Sequence, residues 1–139
     1  MKKTIFLSLV LVGCIFITGC GKSSGTITCK SEGRGENPTI ETVEKYVVEN
    51  NKVVEFEKYQ ILTFDNEYLK QIPLTTVLEV YEKDSEFTVS KVNDNTIKNV
   101  YKSPKNYYAD MESDNMIETI RASLEDNAFS LYEYTCEIE

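Results

Sequence analysis

The chain has 139 residues, 41% of them hydrophobic and 27% charged, with a formal net charge of −8 and neither histidine nor tryptophan. Without histidine the commonest general base and the commonest metal ligand are gone, which excludes Ser-His-Asp and Cys-His catalysis and most zinc sites. The acidic balance argues against nucleic acid and against electrostatic adhesion to anionic lipid, since both need clustered lysine and arginine.

The chain opens with Met1-Lys2-Lys3 and an almost wholly apolar run, Thr4 to Ile17. A short positive segment before an apolar one is the architecture of a secretory signal. From Thr4 to Cys20 the run covers 17 residues, the lower edge of what spans a hydrocarbon core of about 30 Å, so a permanent transmembrane helix is the second reading. The run ends in Ile17-Thr18-Gly19-Cys20, followed by Gly21-Lys22-Ser23-Ser24-Gly25. This string resembles the lipobox of bacterial lipoproteins. The resemblance implies a diacylglyceryl group on the Cys20 thiol, a signal peptide over residues 1–19 cut just before it, and Cys20 as the first mature residue. The residue types suit that chemistry, because a small Gly19 leaves the bond accessible and sulfur is a strong nucleophile at neutral pH. Two other readings stay open: a competing box at Leu11-Val12-Gly13-Cys14, and a plain apolar segment whose cysteine is incidental. Each buried methylene of an acyl chain contributes about 0.8 kcal/mol and two chains anchor stably, so a palmitate-type anchor needs no further membrane helix. Residues 20–26 read as an acylated flexible tether.

Removal of residues 1–19 takes Lys2 and Lys3 with it, leaving 13 basic against 23 acidic residues, a net charge of −10. Residues 27–139 fit one domain. Residues 26–31, with Cys29, read as a first strand. The β-rich runs Thr39 to Glu49 and Val53 to Phe64 flank Asn50-Asn51-Lys52, where asparagine tolerates the positive φ of a hairpin turn. Tyr46, Val48, Val54 and Phe56 are expected to face the core, and the Glu and Lys between them water. Asp65-Asn66-Glu67 starts a helix whose apolar residues recur at three- and four-residue spacing to about Lys83, with Pro73 kinking it or splitting it in two. A second hairpin turns at Asn93-Asp94-Asn95, between strands from Phe87 and from Thr96. Ser113 or Asp114 could cap a second helix through Met116, Ile117, Ile120 and Leu124, stopping near Asn127. The strand from Phe129 to Ile138, carrying Cys136, ends the chain. This order gives an α+β fold, an antiparallel β-sheet built from hairpins with two helices packed on one face.

Outside the cytoplasm the remaining pair, Cys29 and Cys136, reads as a disulfide if the first and last strands are neighbours. Closing a loop of that length contributes roughly 4 to 5 kcal/mol in the chain-entropy treatment. The alternative is two buried free thiols. No CxxC spacing marks a redox pair.

Other motifs read as structure. Asn93-Asp94-Asn95 lacks the later ligands of a calcium loop. Asp110, Glu112 and Asp114 suit a helix N-terminus better than a divalent cation. Glu55 and Glu57 alternate along a solvated strand face, with no cleft to make them a catalytic pair. Tyr107 and Tyr108 are the candidates for a partner surface, tyrosine being enriched in interfaces. The end cysteines, in Thr26-Ile27-Thr28-Cys29 and Tyr134-Thr135-Cys136, make the layout similar to the YehR-like group of small lipoproteins, which implies the same α+β fold and no catalytic motif. The expectation is a non-enzymatic protein, lipid-anchored on the extracytoplasmic face of the cell membrane, with a binding or accessory role toward an envelope protein and no cofactor or metal. The alternative is a small-ligand carrier with an apolar pocket between sheet and helices.

Overall fold

The structure is a computed structural model describing residues 22–33, 35–126 and 133–139. The segment expected as a signal peptide, residues 1–19 with Cys14, and also Cys20, Asn127 and the expected start of the last strand at Phe129 lie outside the described residues. The elements run β1 (Gly25–Glu32), β2 (Thr39–Glu49), β3 (Lys52–Thr63), α1 (Asn66–Gln71), α2 (Leu74–Glu82), β4 (Phe87–Asn93), β5 (Thr96–Tyr101), α3 (Met116–Glu125) and β6 (Tyr134–Ile138). The fold is α+β, among the described residues a six-stranded antiparallel sheet in the order β4-β5-β3-β2-β1-β6 with three helices.

Alternating side chains make β2 and β3, and Asn50 and Asn51 connect them at φ 48° and 61°. That left-handed pair matches the twist of the flanking strands. The β2–β3 register shifts between Val47 and Val48, which pair with Glu55 and Val53 and leave Val54 unpaired. Val54, expected in the core, is therefore pushed out and 50% exposed, while Val53 and Phe56 pack inward.

The expected first helix forms as two pieces. Asp65 caps α1 by accepting from the Tyr68 amide at 2.6 Å, and Pro73, which has no amide hydrogen, sits at the head of α2. Neither Ser113 nor Asp114 caps α3. Asn115 does, its side chain accepting from the Glu118 amide, while Ser113 Oγ accepts from the Asn115 amide at 3.2 Å.

Strand β1 begins at Gly25, inside the stretch expected as tether. Gly25 pairs there with Val48 on β2, and beside it Thr26 and Glu139 exchange backbone hydrogen bonds of 3.1 and 2.9 Å. Glycine is required at 25, where a Cβ would stand 2.8 Å from the Glu139 carbonyl oxygen.

Two apolar clusters form the core. In one, Ile27, Tyr46 and Phe56 lie in one cross-strand row and pack with Tyr108, Met116, Ile117 and Ile120. In the other, the row of Ile40, Leu62 and Ile97 packs with Phe64, Leu74 and Val77. Burying each such aliphatic side chain contributes roughly 1.5 to 3 kcal/mol, and Leu62→Ala would cost about 2 to 5 kcal/mol.

Candidate functional site

Between the two apolar clusters the same sheet carries a polar row. Cys136 on β6 is opposite Cys29 on β1, Cys29 is opposite Glu44 on β2, and Glu44 is opposite Lys58 on β3. The two cysteines are bridged, with an S–S distance of 2.02 Å, and Cys29 is fully buried. Glu44 is only 7% exposed because it is two residues from Tyr46 and shares its face. Its carboxylate accepts from the Tyr46 hydroxyl at 2.5 Å, the Lys58 ammonium at 2.8 Å and the Tyr134 hydroxyl at 3.4 Å. The Lys58 ammonium also stands 5.6 Å from the centre of the Tyr101 ring.

The electrostatics follow from burial around one negative charge. Burial first, and then the hydrogen bond to Glu44, push the Tyr46 hydroxyl far above the usual tyrosine value. Burial and then the charge of Glu44 raise Tyr134. Burial works against the Lys58 ammonium, but its hydrogen bond and attraction to Glu44 outweigh that and raise it. Each of these shifts moves away from neutrality, the opposite of what a general acid or base working near pH 7 needs. Chemically the cluster is a hydrogen-bonded ion pair that fixes side chains.

In the neighbouring row Asn99 is opposite Gln60 and is 0% exposed, and among the described residues its Oδ1 and Nδ2 have no hydrogen-bond partner. Two open clefts are described. One, of about 450 Å³, is lined by Lys30, Glu32, Glu41, Glu133 and Thr135. The other, of about 310 Å³, is lined by Ser85, Glu86, Tyr101, Lys102 and Ser103. Among the described residues neither is lined by a leucine.

The residues singled out in the sequence are scattered. Cys29 and Cys136 meet, and Cys20 lies outside the described residues. Tyr107 and Tyr108 part company. Tyr107 is 70% exposed beneath the Lys105 ammonium, whereas Tyr108 is buried edge-on to Tyr46 at 5.4 Å between ring centres, which removes it as a surface candidate. Glu55 and Glu57 are exposed, with Glu57 4.0 Å from Lys98. Asn93 to Asn95 form the β4–β5 turn, where Asn93 accepts from the Asn95 amide and Asp94 pairs with Lys91. Asp110, Glu112 and Asp114 are exposed, and among the described residues no three His, Cys, Asp or Glu side chains could hold a metal ion. Among the described residues no helix is long and apolar enough to cross a membrane.

The Glu44 cluster is what sequence reasoning missed. The signal is present in the shared strand parity of Glu44, Tyr46 and Val48, although neither Glu44 nor Lys58 is among the residues singled out in the sequence. No family model, no curated protein and no solved structure matches this chain.

Proposed function

We propose that this chain is a lipoprotein of the bacterial envelope. Acylated at Cys20 and cut after Gly19, it would hold a disulfide-closed α+β domain on the extracytoplasmic face of the cell membrane and serve as a binding or accessory protein rather than a catalyst. The observation that carries the reading is the string Ile17-Thr18-Gly19-Cys20, standing where a charged and apolar leader gives way to Gly-Lys-Ser-Ser-Gly. A cystine between the strand after the tether and the final strand suits an oxidising compartment. The proposal takes the sheet as built from hairpins with its helices on one face, leaving Tyr107 among the groups offered to an envelope partner. The test is intact mass spectrometry of the protein from native membranes, with and without reductant. The expected mass is that of residues 20–139 plus two or three acyl chains, rising by two hydrogens on reduction. An unacylated mass, or one retaining residues 1–19, would refute it.

The second reading, a small-ligand carrier, is favoured by one observation, the buried and unpartnered amide of Asn99. Buried polar groups are normally satisfied, and a bound polar guest would satisfy this one. Native mass spectrometry of the protein from membranes would reveal a non-covalent guest, and a mass accounted for by chain and acyl groups alone would refute it.

A further inference from the structure

We infer that the end of the sheet bearing the β2–β3 turn is the surface that meets the lipid bilayer. The inference rests on the lipoprotein reading and adds an orientation to it. The described chain begins at Lys22, and the next residues are tied to that turn: Ser23 O accepts from the Asn51 amide at 2.7 Å, and Ser24 Oγ accepts from the Asn50 amide at 3.0 Å. A chain reaches at most about 3.3 to 3.6 Å per residue, so an acylated Cys20 holds the turn within roughly 10 Å of the lipid.

The rest of that end is built onto the same turn. Asn51 Oδ1 accepts from the Met116 amide at 3.3 Å, bringing the start of α3 there, and Glu139 pairs with Thr26, bringing the C-terminus there. The opposite end is closed by separate contacts, the Asp65 amide to Asn37 Oδ1 at 3.1 Å and the Phe64 amide to the Asn95 carbonyl at 2.9 Å. Strand β3 links the two ends with 12 residues, which at about 3.3 Å each puts the far turns roughly 35 to 40 Å away.

The near end carries apolar groups in water. Val54, extruded by the β-bulge, is 50% exposed, and Ile138 in the last strand is 39% exposed. The acidic chain would not be drawn to anionic headgroups, so the contact is an apolar one with the acyl region, held in place by the anchor. The occupant is therefore the bilayer that holds the acyl chains. The far end, with Asn37, Asp65 and Asn95, is what the envelope would meet.

The chain has no tryptophan, so single substitutions give clean fluorescent reporters. Val54→Trp probes the near end, Ile138→Trp repeats the probe should the bulge not tolerate the first, and Val92→Trp, at a site 54% exposed on β4, probes elsewhere. Each full-length variant is taken from membranes in its acylated form and bound to phosphatidylcholine vesicles with or without brominated acyl chains, and flotation is scored separately. The expected result is flotation of all three, with emission at positions 54 and 138 quenched about twofold or more by bromine and emission at 92 unchanged, since interfacial groups sit about 5 to 10 Å into the lipid. Flotation with equal quenching at near and far sites, or none at either near site, overturns the orientation while leaving the anchor standing. Failure to float overturns the anchored reading and the orientation with it.

Discussion

Lys58→Met should destabilise the domain more than Glu44→Gln, although both remove the same ion pair. Lys58→Met leaves the Glu44 carboxylate, 7% exposed, with two tyrosine hydroxyls and no cation. Breaking a buried pair costs about 3 to 5 kcal/mol, and the figure falls here to about 2 to 3 kcal/mol because the Lys58 side chain is 29% exposed and water already screens the pair. Glu44→Gln keeps an oxygen for the Tyr46 hydroxyl and lets the flexible Lys58 turn to water, so the loss is about 1 kcal/mol. The double variant buries no charge and should also lose only about 1 kcal/mol, giving a coupling of about 1 to 2 kcal/mol. Equilibrium urea unfolding with the disulfide intact measures all four proteins, and an unchanged m-value shows that the unfolded state is the same throughout. Additive losses, or a Lys58→Met protein as stable as Glu44→Gln, would refute the account of Glu44 as a buried charge that needs its cation.

Asn99→Leu replaces an orphaned buried amide with an apolar group of similar size and should raise stability by about 1 kcal/mol, seen as a higher urea midpoint; a loss of that size would mean the amide has a partner. Replacing Cys29 and Cys136 together by alanine frees ends 107 residues apart, and should cost about 3 to 5 kcal/mol; a thermal midpoint unchanged by the double substitution would sink the structural role of the bridge. Stability should fall as pH rises above 10, because the unfolded chain then releases the Tyr46 proton near 10.0 while the native state still holds it. The slope is about 1.4 kcal/mol per pH unit for that group, Tyr46→Phe should flatten it, and below pH 10 the two proteins should respond to pH alike. A fixed urea midpoint between about pH 8 and 11 would count against that burial.

The elements were legible because their signals are local. Asn50-Asn51 announced a turn needing positive φ, Asp65 a cap, and Pro73 a break, and each depends only on neighbouring backbone. What failed depended on pairing. Val54 follows the alternation of its strand, and only the register shift opposite Val47 and Val48 expels it. Tyr108 looks like half of an exposed tyrosine pair until the loop lays its ring against Tyr46. Glu44 was hidden for a different reason. Its parity pointed inward, but a charged residue is placed inside only when a partner is known, and Lys58 lies across a turn in another strand. The cysteine bridge was legible as a pairing because only two candidates remain once the lipobox resemblance accounts for Cys14 as a signal residue and Cys20 as the acylation site.

The position of the ion pair beside the bridge has a consequence for register. A two-residue slip of β2 along β3 preserves every inward face, so hydrophobic patterning alone penalises it weakly. Such a slip would set Glu44 opposite Phe56 or Gln60 and strand Lys58 opposite Tyr46 or Thr42, a buried charge without its cation in either case. On the other flank the covalent bond holds Cys29 opposite Cys136, and the backbone ladder holds Cys29 opposite Glu44. One row, covalent at one end and ionic at the other, thus ties β6, β1, β2 and β3 to a single alignment. The β1 pairings in that alignment are also what bring Ser23, Asn51 and Glu139 to the same end of the sheet, the end inferred to face the lipid.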